Sequence, residues 1–204
     1  MNYLYMLGGA GAVGAAGGGG GAYLIHNSIS KTPTPTLESK LSGEKYLIMD
    51  SSDGNWATVV EKYNHTNTAA NKKFSDLVGT ATDQSLKQKC KSALASGDDA
   101  LYEKAKLWCT VPRTVQQRLE DLGIRILKME GQDDKDTWNT LKGKYKDATE
   151  QQKIKELTIS TLEEEENAWQ QLQTACKGYA AKDKWDADYD YFLEKVKVWC
   201  SSHE

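Results

Sequence analysis

Lys106-Leu107-Trp108-Cys109 and Lys197-Val198-Trp199-Cys200 are two versions of one tetrapeptide, and their recurrence decides how the chain is read. A tryptophan directly before a cysteine is a rare pair. Working outward, the same landmarks precede each occurrence in the same order. Trp56-x6-Tyr63 and Leu86-x3-Cys90 lead to the first tetrapeptide; Trp138-x6-Tyr145 and Leu172-x3-Cys176 lead to the second. An ordered set of landmarks repeated at a distance marks an internal duplication. The copies are placed at residues 44–112 and 125–204, joined by a connector at 113–124. The repeat-core residues are Trp56, Tyr63, Leu86 and Trp108 in copy one, and Trp138, Tyr145, Leu172 and Trp199 in copy two.

The fold class expected is all-α, with about four helical segments per copy. Trp56, Val59, Val60 and Tyr63 fall at i, i+3, i+4 and i+7, one helical face, and Trp138, Leu141 and Tyr145 repeat it. Asp53-Gly54-Asn55 and Asp133–Asp136 precede these helices, where acids and amides favour the free N–H groups and the helix dipole. A short helix is expected near 72–78 and near 151–159. A third runs near 83–95 and 162–177, and a fourth near 98–109 and 187–200. Ser96-Gly97 and Lys177-Gly178 separate the third helix from the fourth. The only prolines are Pro33, Pro35 and Pro112, so helix breakers are few. Trp169 and Trp185 stand only in the second copy, as core filling or, less readily, a ligand platform.

Cys90, Cys109, Cys176 and Cys200 are the four cysteines. Without a Cys-x-x-Cys pair they do not read as a zinc site. One disulfide within each copy, Cys90 with Cys109 and Cys176 with Cys200, competes with four buried thiols. A straight hairpin turning near Gly97 would leave the first pair roughly 7–8 Å out of step, at about 1.5 Å per residue. Bonding requires Cα atoms within ~7 Å. The disulfide reading therefore demands a tilt, a kink or a longer loop.

At the other end, Asn2–Ser30 carries no Asp, Glu, Lys or Arg. The apolar, glycine-rich stretch Tyr3–Ile25 matches the ~20 residues needed to cross a bilayer, with Tyr3, Tyr5 and Tyr23 at its ends. Residues 1–30 are read as a transmembrane anchor, with a cleaved signal segment and then a disordered glycine-rich tail as the alternatives. The Gly14-x-x-x-Gly18 spacing permits close helix packing. Residues 31–43, opening Lys31-Thr-Pro-Thr-Pro-Thr36, are read as an extended linker. Lys31, Lys40 and Lys45 favour a cytoplasmic body under the positive-inside rule; the repeated cysteines favour an extracellular one, which is the expectation adopted. If the segment is cleaved, the body is secreted.

This layout resembles the large paralogous sets of uncharacterised proteins in haemotropic mycoplasmas. The features that carry the resemblance are Gly8–Ala22, Leu86-x3-Cys90, Trp108-Cys109, Leu172-x3-Cys176 and Trp199-Cys200. The resemblance implies surface exposure and antigenic variation, and it supplies no catalytic residues.

No chemistry emerges from the remaining motifs. Gly9-Ala-Gly11-Ala-Val-Gly14 fits a dinucleotide fingerprint by letter, but Gly17–Gly21 would break the helix that must follow it. His26, His65 and His203 recur in neither copy, and Cys200-x-x-His203 is half a ligand set. Asp50-Ser-Ser-Asp53-Gly54 lacks the alternating oxygens and final glutamate of a calcium loop. Glu163–Glu166 reads as a solvated helix face, and Asn64-His-Thr66 as a glycosylation triplet. A net charge of −3 with no basic patch argues against nucleic acid. No catalytic, cofactor or metal residue is assigned. The expectation is a non-enzymatic, membrane-tethered interaction or antigenic protein with the membrane and an unidentified protein or host molecule as partners. An exported enzyme of unfamiliar type, or an intracellular membrane-anchored structural protein, is the alternative.

Overall fold

Thr36 and Thr114 each end an extended segment and turn the chain into a seven-residue helix, their hydroxyls accepting from the amides of Ser39 and Gln117. A threonine in that position satisfies a free N–H of the first helical turn. The helices are α1 (Leu37–Gly43) and α5 (Val115–Asp121). Each buries an i, i+4 apolar pair completely, Leu37 with Leu41 and Val115 with Leu119. Both were hidden in segments read as linker and connector. From Leu37 onward the 31–43 stretch is therefore helix rather than extended chain, and most of 113–124 is helix too.

The structure is a computed structural model that describes residues 34–155, 157 and 167–202. The segment Tyr3–Ile25, the glycine motifs within it, His26, Glu163–Glu166 and His203 lie outside the described residues. From Thr34 the chain is one compact unit. After α1 come α2 (Trp56–Asn64), α3 (Asp83–Ala95) and α4 (Tyr102–Trp108). After α5 come α6 (Lys135–Asp147), α7 (Trp169–Ala180) and α8 (Tyr189–Trp199). Among the described residues the fold is all-helical, with isolated bridges in place of strands. None of these helices is long and apolar enough to cross a membrane.

Two hydrophobic cores form, one from Leu37 to Cys109 and one from Val115 to Cys200. Their backbone contacts correspond one for one. Leu37 N–H donates to Ser96 O as Val115 N–H does to Lys182 O. Met49 N–H meets Cys109 O as Leu127 N–H meets Cys200 O. The bridges Ile48–Thr110 and Ile126–Ser201 close the two halves identically.

Several segments differ from expectation. Residues 72–78 hold no α-helix, only the end of a 3₁₀ turn at Ala70–Lys72. Tyr63 stops a helix there: its hydroxyl accepts the Phe74 N–H at 2.9 Å, drawing the loop into the core. Residues 151–155 are likewise turns, pinned by Tyr145. α4 begins at Tyr102 because Asp98–Leu101 forms a capped 3₁₀ turn. α7 passes through Gly178 to Ala180 without breaking.

The cap of α1 contains an informative contrast. After the helix the chain must turn left-handed, and the second half uses Gly123 at φ +83. The first half uses Lys45 at φ 61. A side chain in that region costs roughly 1–2 kcal/mol, offset partly by the ~0.5–1 kcal/mol entropy cost of glycine. Lys45→Gly is expected to raise stability by about 0.5–1 kcal/mol in urea unfolding. A loss instead would show that the Lys45 Nζ contact to Leu122 O outweighs the strain.

Candidate functional site

Each repeat-core residue from the sequence is buried, and the structure joins them into the same clasp twice. Tyr63 meets Trp108 edge-on at 4.9 Å, and Tyr145 meets Trp199 edge-on at 4.8 Å. The indole of Trp108 donates to Lys72 O, and that of Trp199 to Gln152 O. Trp56 and Trp138 donate to Asp50 O and Lys128 O, tying α2 and α6 to the loops before them. Leu86 and Leu172 fill the two cores from α3 and α7. These residues hold the fold and present no reactive group.

Cys90 pairs with Cys109 and Cys176 with Cys200, at Cα separations of 5.3 and 5.8 Å, and no cysteine is free. The axial mismatch is resolved by longer loops. Cys90 lies five residues before the end of α3, and Cys109 directly follows α4, so most of the excess length is taken up by residues 96–101. Residues 181–188 serve the second pair.

A cavity of about 410 Å³ lies between the halves, walled by Tyr46, Lys106 and Thr110 on one side and Arg118, Lys184 and Tyr189 on the other. Two cations of the second half are held by backbone oxygens of the first. Arg118, 5% exposed, sends its terminal nitrogens to Glu44 O and Lys45 O, both at 2.7 Å, and lies 3.7 Å over the Tyr46 ring. These contacts satisfy carbonyls at the end of α1. Lys184 Nζ donates to Lys106 O at 3.1 Å, Thr110 O at 2.9 Å and Thr110 Oγ1 at 2.8 Å. Burial and the neighbouring Lys106 push its pKa down to about 7. Burial works against the charge of Lys106 too, but Tyr46, Glu103 and Asp190 hold its pKa above the usual value. Burial likewise raises the Tyr189 phenol.

Trp169 fills the second core, whereas Trp185 crosses over and packs on the first, with Lys62 above its ring. Neither serves as an exposed platform. No His/Cys/Asp/Glu group suited to a metal occurs among the described residues. Asn64 uses its amide on Ala81 N–H and O, so the glycosylation triplet is tied into the fold. Asp50 and Asp53 close tight turns on Ser52 and Asn55.

Asp134 does not cap α6 as expected; it accepts from Lys128 N–H and pairs with Arg125. Those contacts hold its pKa below the usual value, the Lys128 amide first. Asp186 is lowered in the same way, by the Asp188 amide first. A carboxylate with a depressed folded pKa contributes stability above its unfolded value near ~3.9, lost as pH falls through the folded value. Urea midpoints are therefore expected to be flat near pH 5–6 and to fall below about pH 4. In D134N that fall should be shallower; an unchanged slope would remove Asp134 from the account.

The sequence reading found the clasp and the cysteines but not Arg118 or Lys184. Of the chain's three arginines, Arg113 and Arg118 lie in the connector and Arg125 opens the second copy, and Lys184 sits beside the unmatched Trp185. Those were the available signals. Family models, curated proteins and solved structures give no match to this chain.

Proposed function

We propose that the protein is a membrane-tethered, surface-exposed interaction or antigenic protein that works without catalysis. Two tandem helical modules, residues 44–112 and 125–204 with their leading helices, would be held outside the cell by the segment Tyr3–Ile25. The observation that carries this reading is the pair of equivalent cysteine bridges. Disulfides persist in oxidising compartments and are rare in reducing ones, so a body built on two of them fits an exported location. The loop 65–73 that follows Tyr63 is polar and largely solvent-facing, which suits a surface that varies over a constant core.

The test is labelling of intact cells with a membrane-impermeant amine reagent, followed by thiol mapping without reductant. Labelled protein with two intramodular bridges is the expected result. A body that labels only after lysis, with four free thiols, would place it inside and sink the proposal.

A second reading has one observation in its favour. An amine with a pKa near 7 in a concave cleft is what a lysine nucleophile requires. The three oxygen acceptors around Lys184 favour a role in joining the halves. Borohydride trapping with small aldehydes distinguishes the two, since only a nucleophile gives a stoichiometric adduct at Lys184.

A further inference from the structure

The way the second half seats on the first identifies a second seat. Loop Asp183-Lys184-Trp185 docks on the first half through three landing groups. Lys106 O and Thr110 receive the Lys184 ammonium, and Lys62 receives Asp183 at 3.6 Å and lies over the Trp185 ring. The duplication places an equivalent of each on the second half. Lys106 and Lys197 both stand two residues before the Trp-Cys tryptophan. Thr110 and Ser201 both follow the cysteine, and Lys62 and Lys144 both precede the clasp tyrosine. All three are kept in kind. The local geometry is kept as well: Ser201 Oγ donates to Lys197 O at 2.5 Å, as Thr110 Oγ1 donates to Lys106 O at 2.7 Å. Each hydroxyl therefore keeps its lone pairs for an incoming donor.

A separate feature marks the same place. A groove of about 280 Å³ runs along α6 to Ser201, lined by Asp136, Thr137, Thr140, Leu141, Lys144 and Ser201, so it holds two of the three landing groups. Carbonyls at a helix C-terminus and a nearby carboxylate both favour a cation. Lys144 has no ion-pair partner among the described residues, and it sits where Lys62 pairs with an acid in the first half.

We infer that this groove binds the lysine of a partner polypeptide, presented on a loop with an acidic residue before it and an aromatic after it. This rests on the interaction role proposed above and gives that role a partner chemistry. The partner is a different protein. At the positions matching Asp183-Lys184-Trp185, the first half carries Gly97-Asp98-Asp99, which has no ammonium to offer. In a second copy of this chain, Lys184 is already held by its own Thr110.

The test uses the full chain in detergent, isotope-labelled for NMR, titrated with a synthetic peptide copying residues 181–188. Saturable shifts at Thr140, Lys144 and Ser201 are expected. A peptide with methionine in place of the lysine that copies Lys184 should bind about tenfold more weakly, the loss of one charge-assisted contact. K144E, at an exposed position, should weaken the parent peptide roughly fivefold by repelling its acid. No saturable shift at these residues, or equal binding of the methionine peptide, overturns the inference. Concentration-dependent self-association that K144E abolishes would overturn it too, by assigning the groove to a second copy. Surface labelling is read separately, so failure here leaves the proposed location standing, and failure there leaves the peptide result standing.

Discussion

Removing either disulfide is expected to cost about 3 kcal/mol, and removing both should unfold a large part of the protein at physiological temperature. The bridges close loops with sequence separations of 19 and 24, so the unfolded chain gains comparable freedom when either is cut. Their surroundings add to the loss. Cys109 and Cys200 are fully buried and each follows directly on its clasp tryptophan, so the bridge fixes the indole against α3 or α7. The double variants C90A/C109A and C176A/C200A are to be compared by calorimetry with the oxidised parent. For a compact unit of this size, 1 kcal/mol shifts the midpoint by ~2–4 °C, so each pair should lower it by roughly 6–12 °C. The two variants should fall by similar amounts, because the loops and their burial are similar. A shift under about 2 °C would show that the bridges are incidental to the fold.

The same clasp explains what could be read without coordinates. Trp-Cys is rare, and each of its two residues has a single structural task, so selection for packing leaves the pair recognisable in both copies. The amphipathic face Trp56–Tyr63 is legible for the same reason. α1 and α5 were not. Each is seven residues long and shows just two core positions, too little periodicity to separate a helix from a linker, and Pro33 and Pro35 drew the reading toward extended chain. Thr36 followed by Leu37-x3-Leu41 was the usable signal, a cap ahead of an i, i+4 pair. The candidate site is less legible still. Arg118 and Lys184 act on backbone carbonyls, and carbonyls carry no residue identity. A contact between a side chain and the end of a helix in the other half leaves no spacing to detect. Their equivalents in the first half are Lys40 and Asp98, so the repeat itself erased the clue. Only the second half has a lysine to offer at that position, so this contact is made in one direction.

The junction between the halves makes a further demand on stability, and it separates W108A from W199A. Both substitutions remove a buried indole, its hydrogen bond to a loop carbonyl and an edge-on tyrosine contact, a loss of about 3–5 kcal/mol. Trp108 has a second neighbour that Trp199 lacks. It lines a hollow together with Lys62, Leu107 and Trp185 of the second half. W108A should therefore be the more damaging, since it loosens the seat between the halves as well as one core. Both variants should nevertheless unfold in a single transition. The buried guanidinium of Arg118 finds its acceptors on Glu44 and Lys45, and the ammonium of Lys184 on Lys106 and Thr110. Once the first half melts, the second loses those hydrogen bonds and the packing of Trp185 on the first core, so the contact surface between the halves couples their unfolding. Denaturant melts followed at once by tryptophan fluorescence and far-ultraviolet dichroism test this. Coincident curves are expected, with W108A at the lower midpoint. Two separated steps in W199A, with the first half surviving at the parent's midpoint, would mean the halves are independent bodies and that Arg118 and Lys184 merely touch across the cleft.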